Sequence, residues 1–142
     1  MSALQFETGI KTFDINGDPE RVITFNPMDL NFIHRLYEVF RKIDALHKGY
    51  QIKADKLADP EKILKALHQA DMEIRKLLDE TFLDTVSDKV FQGQSSLAIT
   101  GDGVPLWMGF LVAVIAQCDT SFMERENAKN PKLEALLAKY KQ

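Results

Sequence analysis

The chain is poor in the features that mark secreted, membrane and disordered proteins. It has one cysteine in 142 residues, so no disulfide can form within it, as is usual in a reducing compartment. Glycine (7) and proline (5) are scarce, which argues against long disordered stretches. The longest apolar run, residues 104–116, is shorter than the about 20 residues that a bilayer span requires. We therefore expect one cytoplasmic domain, residues 1–142, with neither a secretory signal nor a membrane segment.

An excess of charge of one sign is also absent. The chain has 18 basic and 21 acidic residues, for a formal net charge of -3. Phosphate binding requires a clustered positive excess, so nucleic acid is not expected as the main partner. A hydrophobic fraction of 45% is enough for a core that needs no disulfide or metal to hold it.

The first 26 residues predict a β-hairpin. Residues 10–15 and 21–25 are rich in β-branched and aromatic side chains, and the segment between them, residues 16–20, contains strong turn formers. An isolated hairpin is marginal in water, so this one must pack on helices, and residues 4–8 could add a third strand. One face of the hairpin would carry four apolar side chains, Phe13, Ile15, Ile23 and Phe25.

Helices are predicted in the rest of the chain. Asn26-Pro27, Asp59-Pro60 and Asn130-Pro131 each place an Asx side chain at an N-cap and proline at the first helical position. Hydrophobic periodicity then predicts an α+β fold, in which the hairpin precedes a mostly helical part (residues 27–142) of four to five helices. The segments are residues 28–47, which Gly49 would end, 60–82, a short turn over 84–91, 105–117 and 131–140.

The segment from Val104 to Ala116 is apolar on every side. A helix of this kind must be surrounded, either by the rest of the fold or by a partner chain. A central core helix is one interpretation. The alternative is that one side of it forms a partner or self-association surface, because aromatic residues and methionine are enriched in such contacts. The residues assigned to this protein-interface hypothesis are Val104, Trp107, Phe110 and Phe122.

Two loops contain partial ligand motifs. Asp14 to Asp18 begins like a calcium loop, but the sixth and twelfth positions are Pro19 and Phe25 instead of glycine and glutamate. A hairpin turn explains the same residues. Residues 100–103 have the glycines of a phosphate loop without the lysine that would reach a phosphate. No cofactor is expected.

The remaining chemically active side chains form no complete site. His34 and His47 lie too far apart along one helix to chelate an ion, and His68 with Asp71 gives only two ligands. Cys118 has no CxxC partner, so a buried, inert thiol is expected. Mixed charge on a helix surface accounts for four further carboxylates, Asp79, Glu80, Asp84 and Asp88. Neither catalytic residues nor a metal site are predicted.

Three stretches resemble small tail assembly chaperones of long-tailed bacteriophages, especially those of prophages in Gram-positive hosts. They are the opening hairpin and helix (residues 13–40), a small turn ending in an aromatic residue and glycine (81–93), and a polar loop that leads into an aromatic-rich helix (103–111). The likeness covers roughly residues 10 to 118, and the helix after Asn130 departs from it.

The resemblance implies a protein that is not an enzyme. Chaperones of this kind bind the tape measure protein, keep its long helical chain soluble in the host cytoplasm, and help the major tail protein to polymerise around it. A chaperone of this kind needs apolar grooves between helices and an ability to self-associate, so a homo-oligomer is one expected state.

Two alternatives stay open at this point. One is a structural tail component, a connector or completion subunit, that is kept in the virion. The other is a small helical enzyme that uses Cys118 or the His68–Asp71 pair.

Overall fold

A computed structural model describes residues 1–118 and 130–140. In these residues the chain forms an antiparallel hairpin followed by five helices, which confirms the predicted α+β class. The elements are β1 (Lys11–Ile15), β2 (Asp18–Phe25), α1 (Leu30–Asp55), α2 (Pro60–Phe82), α3 (Ser87–Phe91), α4 (Leu106–Gln117) and α5 (Pro131–Tyr140).

The hairpin turns more tightly than predicted. Asn16 and Gly17 both have positive φ, 53° and 82°, as a tight hairpin turn requires, so β2 already begins at Asp18. The suggested third strand over residues 4–8 is wrong, since residues 1–10 carry neither strand nor helix. Gly9 has a positive φ of +75°, and the Asn26 side-chain amide donates a hydrogen bond to the Thr8 carbonyl.

The predicted bounds of α1 are wrong at both ends. Asp29, not Asn26, is the N-cap, because its side chain accepts a hydrogen bond from the Asn31 amide, while Asn26 closes a turn with the amide of Met28. The helix also continues through Gly49. A glycine inside a helix costs about 1 kcal/mol, which good helix formers on both sides of it offset.

The other helices follow the sequence more closely. α2 and α5 have the predicted bounds, with Asp59 and Asn130 as caps that accept from backbone amides at 3.0 and 3.1 Å. α3 is shorter than the predicted turn over residues 84–91. It starts where the Asp79 carboxylate accepts hydrogen bonds from the amides of Val86 and Ser87, at 2.9 and 2.8 Å.

One hydrophobic core joins the hairpin and the helices. α1 packs against α2, and α4 packs against α1 and α5. Among the described helices, none has both the length and the apolar character needed to cross a membrane. The largest fully buried side chains come from α1, α2, α3, α4 and α5, and they include Phe40, Ile74, Phe91, Trp107 and Leu133.

Candidate functional site

A half-open apolar groove of about 320 Å³ separates the hairpin from α4. The apolar part of its hairpin wall is formed by Phe13, Ile15, Ile23 and Phe25, so the four side chains predicted to share one face line one groove. Its other walls come mainly from α4, with Val90 and Phe91 of α3 between them. The polar lining is limited to four residues, Asp14, Asn16, Thr100 and Gln117.

The two sides of α4 have different surroundings. The packed side, which we define as Trp107, Met108, Leu111, Val112 and Ile115, is buried in the core. The groove side, which we define as Leu106, Gly109, Phe110, Ala113 and Gln117, lines the groove and stays partly accessible. Glycine at position 109 and alanine at position 113 leave space in the groove that larger residues would fill. An added Cβ at Gly109 would meet no atom within 4 Å.

Arg21 holds the hairpin against the helical part. Its guanidinium donates from Nε to the Lys89 carbonyl at 2.6 Å and from Nη2 to the Val90 carbonyl at 2.8 Å. These carbonyls lie in the last turn of α3, where helix carbonyls lack partners within the helix. The groove wall formed by the hairpin is therefore fixed at a definite position relative to α3.

A cluster of six phenylalanines connects the hairpin with α1, α2, α3 and α4. The rings of Phe13 and Phe25 are stacked at 4.3 Å, and Phe25 in turn contacts Phe32 at 5.1 Å. The Phe82 ring lies 5.5 Å from Phe110, which lies 6.4 Å from Phe91. Such ring pairs add to the stabilisation that area burial gives. The groove thus has rigid aromatic walls.

The loop before α4 is fixed by a buried carboxylate. Asp71 Oδ1 accepts hydrogen bonds from the amide and hydroxyl of Ser96 at 2.7 and 2.6 Å, and Arg75 binds the same carboxylate. Burial raises the pKa of Asp71, but these hydrogen bonds and the Arg75 charge outweigh it, so that the pKa lies below its ordinary value. The Ser96 carbonyl then accepts from the Trp107 amide at 3.0 Å, which positions the first turn of α4.

The packed side of α4 is joined to α1 by a polar contact. The Trp107 indole N–H donates to Nδ1 of His47 at 3.3 Å, so Nδ1 acts as an acceptor and carries no proton. Burial lowers the pKa of His47, and Lys132 lowers it further, while Asp44 acts in the opposite direction. The ring of Phe40 contacts the indole edge-on at 5.4 Å.

Three of the four residues of the interface hypothesis lie in the described part of the chain, and they differ in exposure. Phe110 lines the groove, and Val104 is half-buried before the start of α4. Trp107 is 0% exposed, so its side chain offers no contact to a partner in this conformation. Phe122 lies outside the described residues.

The candidate ligand motifs have structural roles. Asp14 Oδ1 accepts from the Gly17 amide at 2.8 Å, which closes the hairpin turn, and Gly103 donates from its amide to the Thr100 carbonyl at 2.9 Å. His68 is exposed, whereas Asp71 is buried and bound to Ser96, so no His–Asp pair is formed. Within residues 1–118 and 130–140, no three metal-ligating side chains come together.

Cys118 is buried at the end of α4. Its thiol lies 3.5 Å from the Val114 carbonyl, and burial raises its pKa to about 12. At that pKa almost no thiolate is present at neutral pH, which leaves the thiol a poor nucleophile.

The small residues that open the groove had no signal in the sequence, because glycine and alanine inside an apolar helix fit a tightly packed helix equally well. The chain matches no protein-family model and none of the curated proteins or solved structures with which it was compared.

Proposed function

We propose that the protein acts by binding other polypeptides, as a chaperone of bacteriophage tail assembly in the host cytoplasm. Its client is the tape measure protein, and its role is to keep that long helical chain soluble while the major tail protein polymerises. The observation that carries the proposal is the apolar groove between the hairpin and α4. The resemblance of residues 13–40, 81–93 and 103–111 to such chaperones supplies the client.

The size of the groove limits what it can hold. A helix with its side chains is about 10–12 Å across, so a space of about 320 Å³ cannot enclose one. It can take one or two large apolar side chains that project from a helix. Anchoring by a few apolar side chains is the usual way in which a groove binds an amphipathic helix.

The rigidity of the walls suits this kind of binding. Phe13 and Phe110 are held by ring contacts with Phe25 and Phe82, so little side-chain freedom is lost when a client side chain enters. The sparse polar lining carries Asp14 as its one charged residue, and that carboxylate already accepts from the turn. Binding therefore depends on apolar contact.

The test is a binding titration with purified tape measure fragments, read by size-exclusion chromatography and calorimetry. Gly109→Leu fills the groove, and we expect it to weaken binding by more than about tenfold. Gly49→Leu is the matched control, since an added Cβ there also meets nothing within 4 Å and Gly49 lies on exposed α1 surface. Equal affinity of the two variants, or no complex with any tail protein, would contradict the proposal.

A further inference from the structure

The first ten residues, which we call the arm, carry apolar side chains that are exposed to solvent. Residues 1–10 carry no helix or strand, and the large apolar side chains in them are mostly exposed, among them Leu4 at 92%, Phe6 at 79% and Ile10 at 60%. Scattered apolar residues on a surface are ordinary, but a short segment with several of them at close spacing marks a contact surface.

Residues 7–9, which we call the root of the arm, are held by hydrogen bonds. The Asn26 side chain donates to the Thr8 carbonyl at 3.1 Å, and the Gly9 amide donates to the Glu7 carboxylate at 2.7 Å. Gly9 has a φ of +75°, and a Cβ there would lie 2.7 Å from Nδ2 of Asn26. The arm is therefore held at the end of the hairpin opposite the Asn16-Gly17 turn.

In this structure the arm does not enter the groove of its own chain. The hairpin wall of the groove extends from Asn16 at the turn to Phe25, which pairs with Lys11 near the root of the arm, and none of residues 1–10 lines it. To enter it, the arm would have to release Thr8 from Asn26 and fold back along β1. Leu4 and Phe6 remain exposed in this structure, so each chain presents both an unfilled groove and an unburied arm.

The arm and the groove match in size and in pattern. Leu4 and Phe6 are two residues apart, so they point to the same side when the segment is extended along a groove. A space of about 320 Å³ accommodates two side chains of this size. Glu7 would point to the opposite side, away from Asp14, so the acidic residues of arm and groove do not oppose each other.

We propose that the arm of one copy of this chain lies in the hairpin–α4 groove of a second copy, with Leu4 and Phe6 buried there. Each chain then gives one arm and receives one. Reciprocal exchange closes a dimer, whereas exchange along a row of copies gives a longer assembly. Because the groove cannot hold the arm and a client together, the arm also regulates client binding. That second part rests on the proposed function, and the self-association does not.

The test measures mass by light scattering across a range of protein concentrations. The wild-type chain is expected to self-associate, and the Leu4→Asp/Phe6→Asp variant to do so at least about tenfold more weakly. Leu64→Asp/Met72→Asp is the matched control, with side chains that are 68% and 54% exposed on α2. A monomeric wild type, or an arm variant that assembles as the wild type does, would overturn the proposal.

Mixing variants separates arm exchange from a loss of folding. Gly109→Leu keeps the arm and fills the groove, while the arm variant keeps the groove, so each alone is expected to be monomeric. An equimolar mixture should form a one-to-one complex that joins the remaining arm to the remaining groove. A mixture that stays monomeric would contradict exchange between copies. Thermal unfolding of each variant checks that it is folded.

The regulatory part has a separate readout. The arm variant is expected to bind the tape measure fragment several-fold more tightly than the wild type, because no competing arm occupies its groove. If the arm variant loses self-association and no tape measure fragment binds any form, the proposed function fails and the exchange stands. If a fragment binds but its affinity is the same with and without the arm side chains, the competition is refuted.

Discussion

The two sides of α4 belong to one helix of 12 residues but meet different environments. The packed side begins with Trp107, which is wholly buried and joined to α1 through His47. The groove side contains Phe110, Gly109 and Ala113, which line the groove between α4 and the hairpin. An evenly apolar helix can thus bury one side in the core and leave the other partly accessible. Four measurements test how far this division holds.

Trp107→Ala should have the largest effect. The indole is 0% exposed, and its removal leaves a cavity between α1 and α4 that the rigid core cannot close. We expect the free energy of unfolding to fall by about 4 kcal/mol. Urea denaturation monitored by circular dichroism gives this value directly. A loss as small as that of an exposed leucine, for which Leu64→Ala is the reference, would show that the packed side is not part of the core.

Asp71→Ala should come next, because it removes the anchor of the loop that leads into α4. Ser96 would lose the acceptor of both its hydrogen bonds, and Arg75 would lose its nearest countercharge. We expect a loss of about 3 kcal/mol. Hydrogen exchange should also speed up at the amides of Ser96 and Trp107, while the hairpin amides keep their protection. Unchanged exchange in the loop would refute the anchoring role.

Phe110→Ala should cost clearly less than Trp107→Ala. The ring contacts Phe82 and Phe91 but faces the groove on its other side. We expect about 2 kcal/mol, since a half-open site loses fewer contacts than a closed one. The measurement is the same urea titration. Equal losses for the two aromatic residues would mean that the groove is closed in solution and that the two sides of α4 do not differ.

The smallest effect should be a pH dependence that arises from His47. Its pKa in the folded protein lies below the value of 6.5, so the unfolded chain binds a proton more readily. Its contribution to the free energy of unfolding is complete above about pH 6.5 and is lost as the pH falls below that value. His47→Gln keeps an acceptor for the Trp107 indole and does not titrate. The stability difference between wild type and this variant should therefore change with pH only below about 6.5.

Local patterns predicted most of the fold, and tertiary contacts account for the rest. The bounds of α2 followed from Asp59-Pro60 and an apolar stripe, both of which depend on near neighbours. The extension of α1 through Gly49 could not be predicted in this way, because a single glycine gives the same signal inside a helix as at its end. The third strand suggested for residues 4–8 is absent for a similar reason. Alternation in residues 4–8 predicts an extended segment but not what that segment pairs with.

The candidate site was predicted only in part. The shared face of Phe13 and Ile15 follows from strand alternation, and Phe110 was among the residues proposed for an interface. The sequence did not separate Phe110 from Trp107, because both are aromatic residues in a helix that is apolar all round. Which of them is enclosed depends on where α1 and the hairpin pack, and this follows from contacts between residues far apart in the chain.

The hairpin is complete in the first 25 residues of the chain, whereas α4 begins only at Leu106. During synthesis on the ribosome the hairpin therefore emerges long before the helix that forms the opposite wall of the groove. Until α4 has been synthesised, the apolar face of the hairpin can pack only against earlier elements, of which α1 and α2 are the first. The groove is consequently one of the last features to form in a newly made chain, and a truncated product that ends before α4 would expose the part of the hairpin face that lies opposite α4.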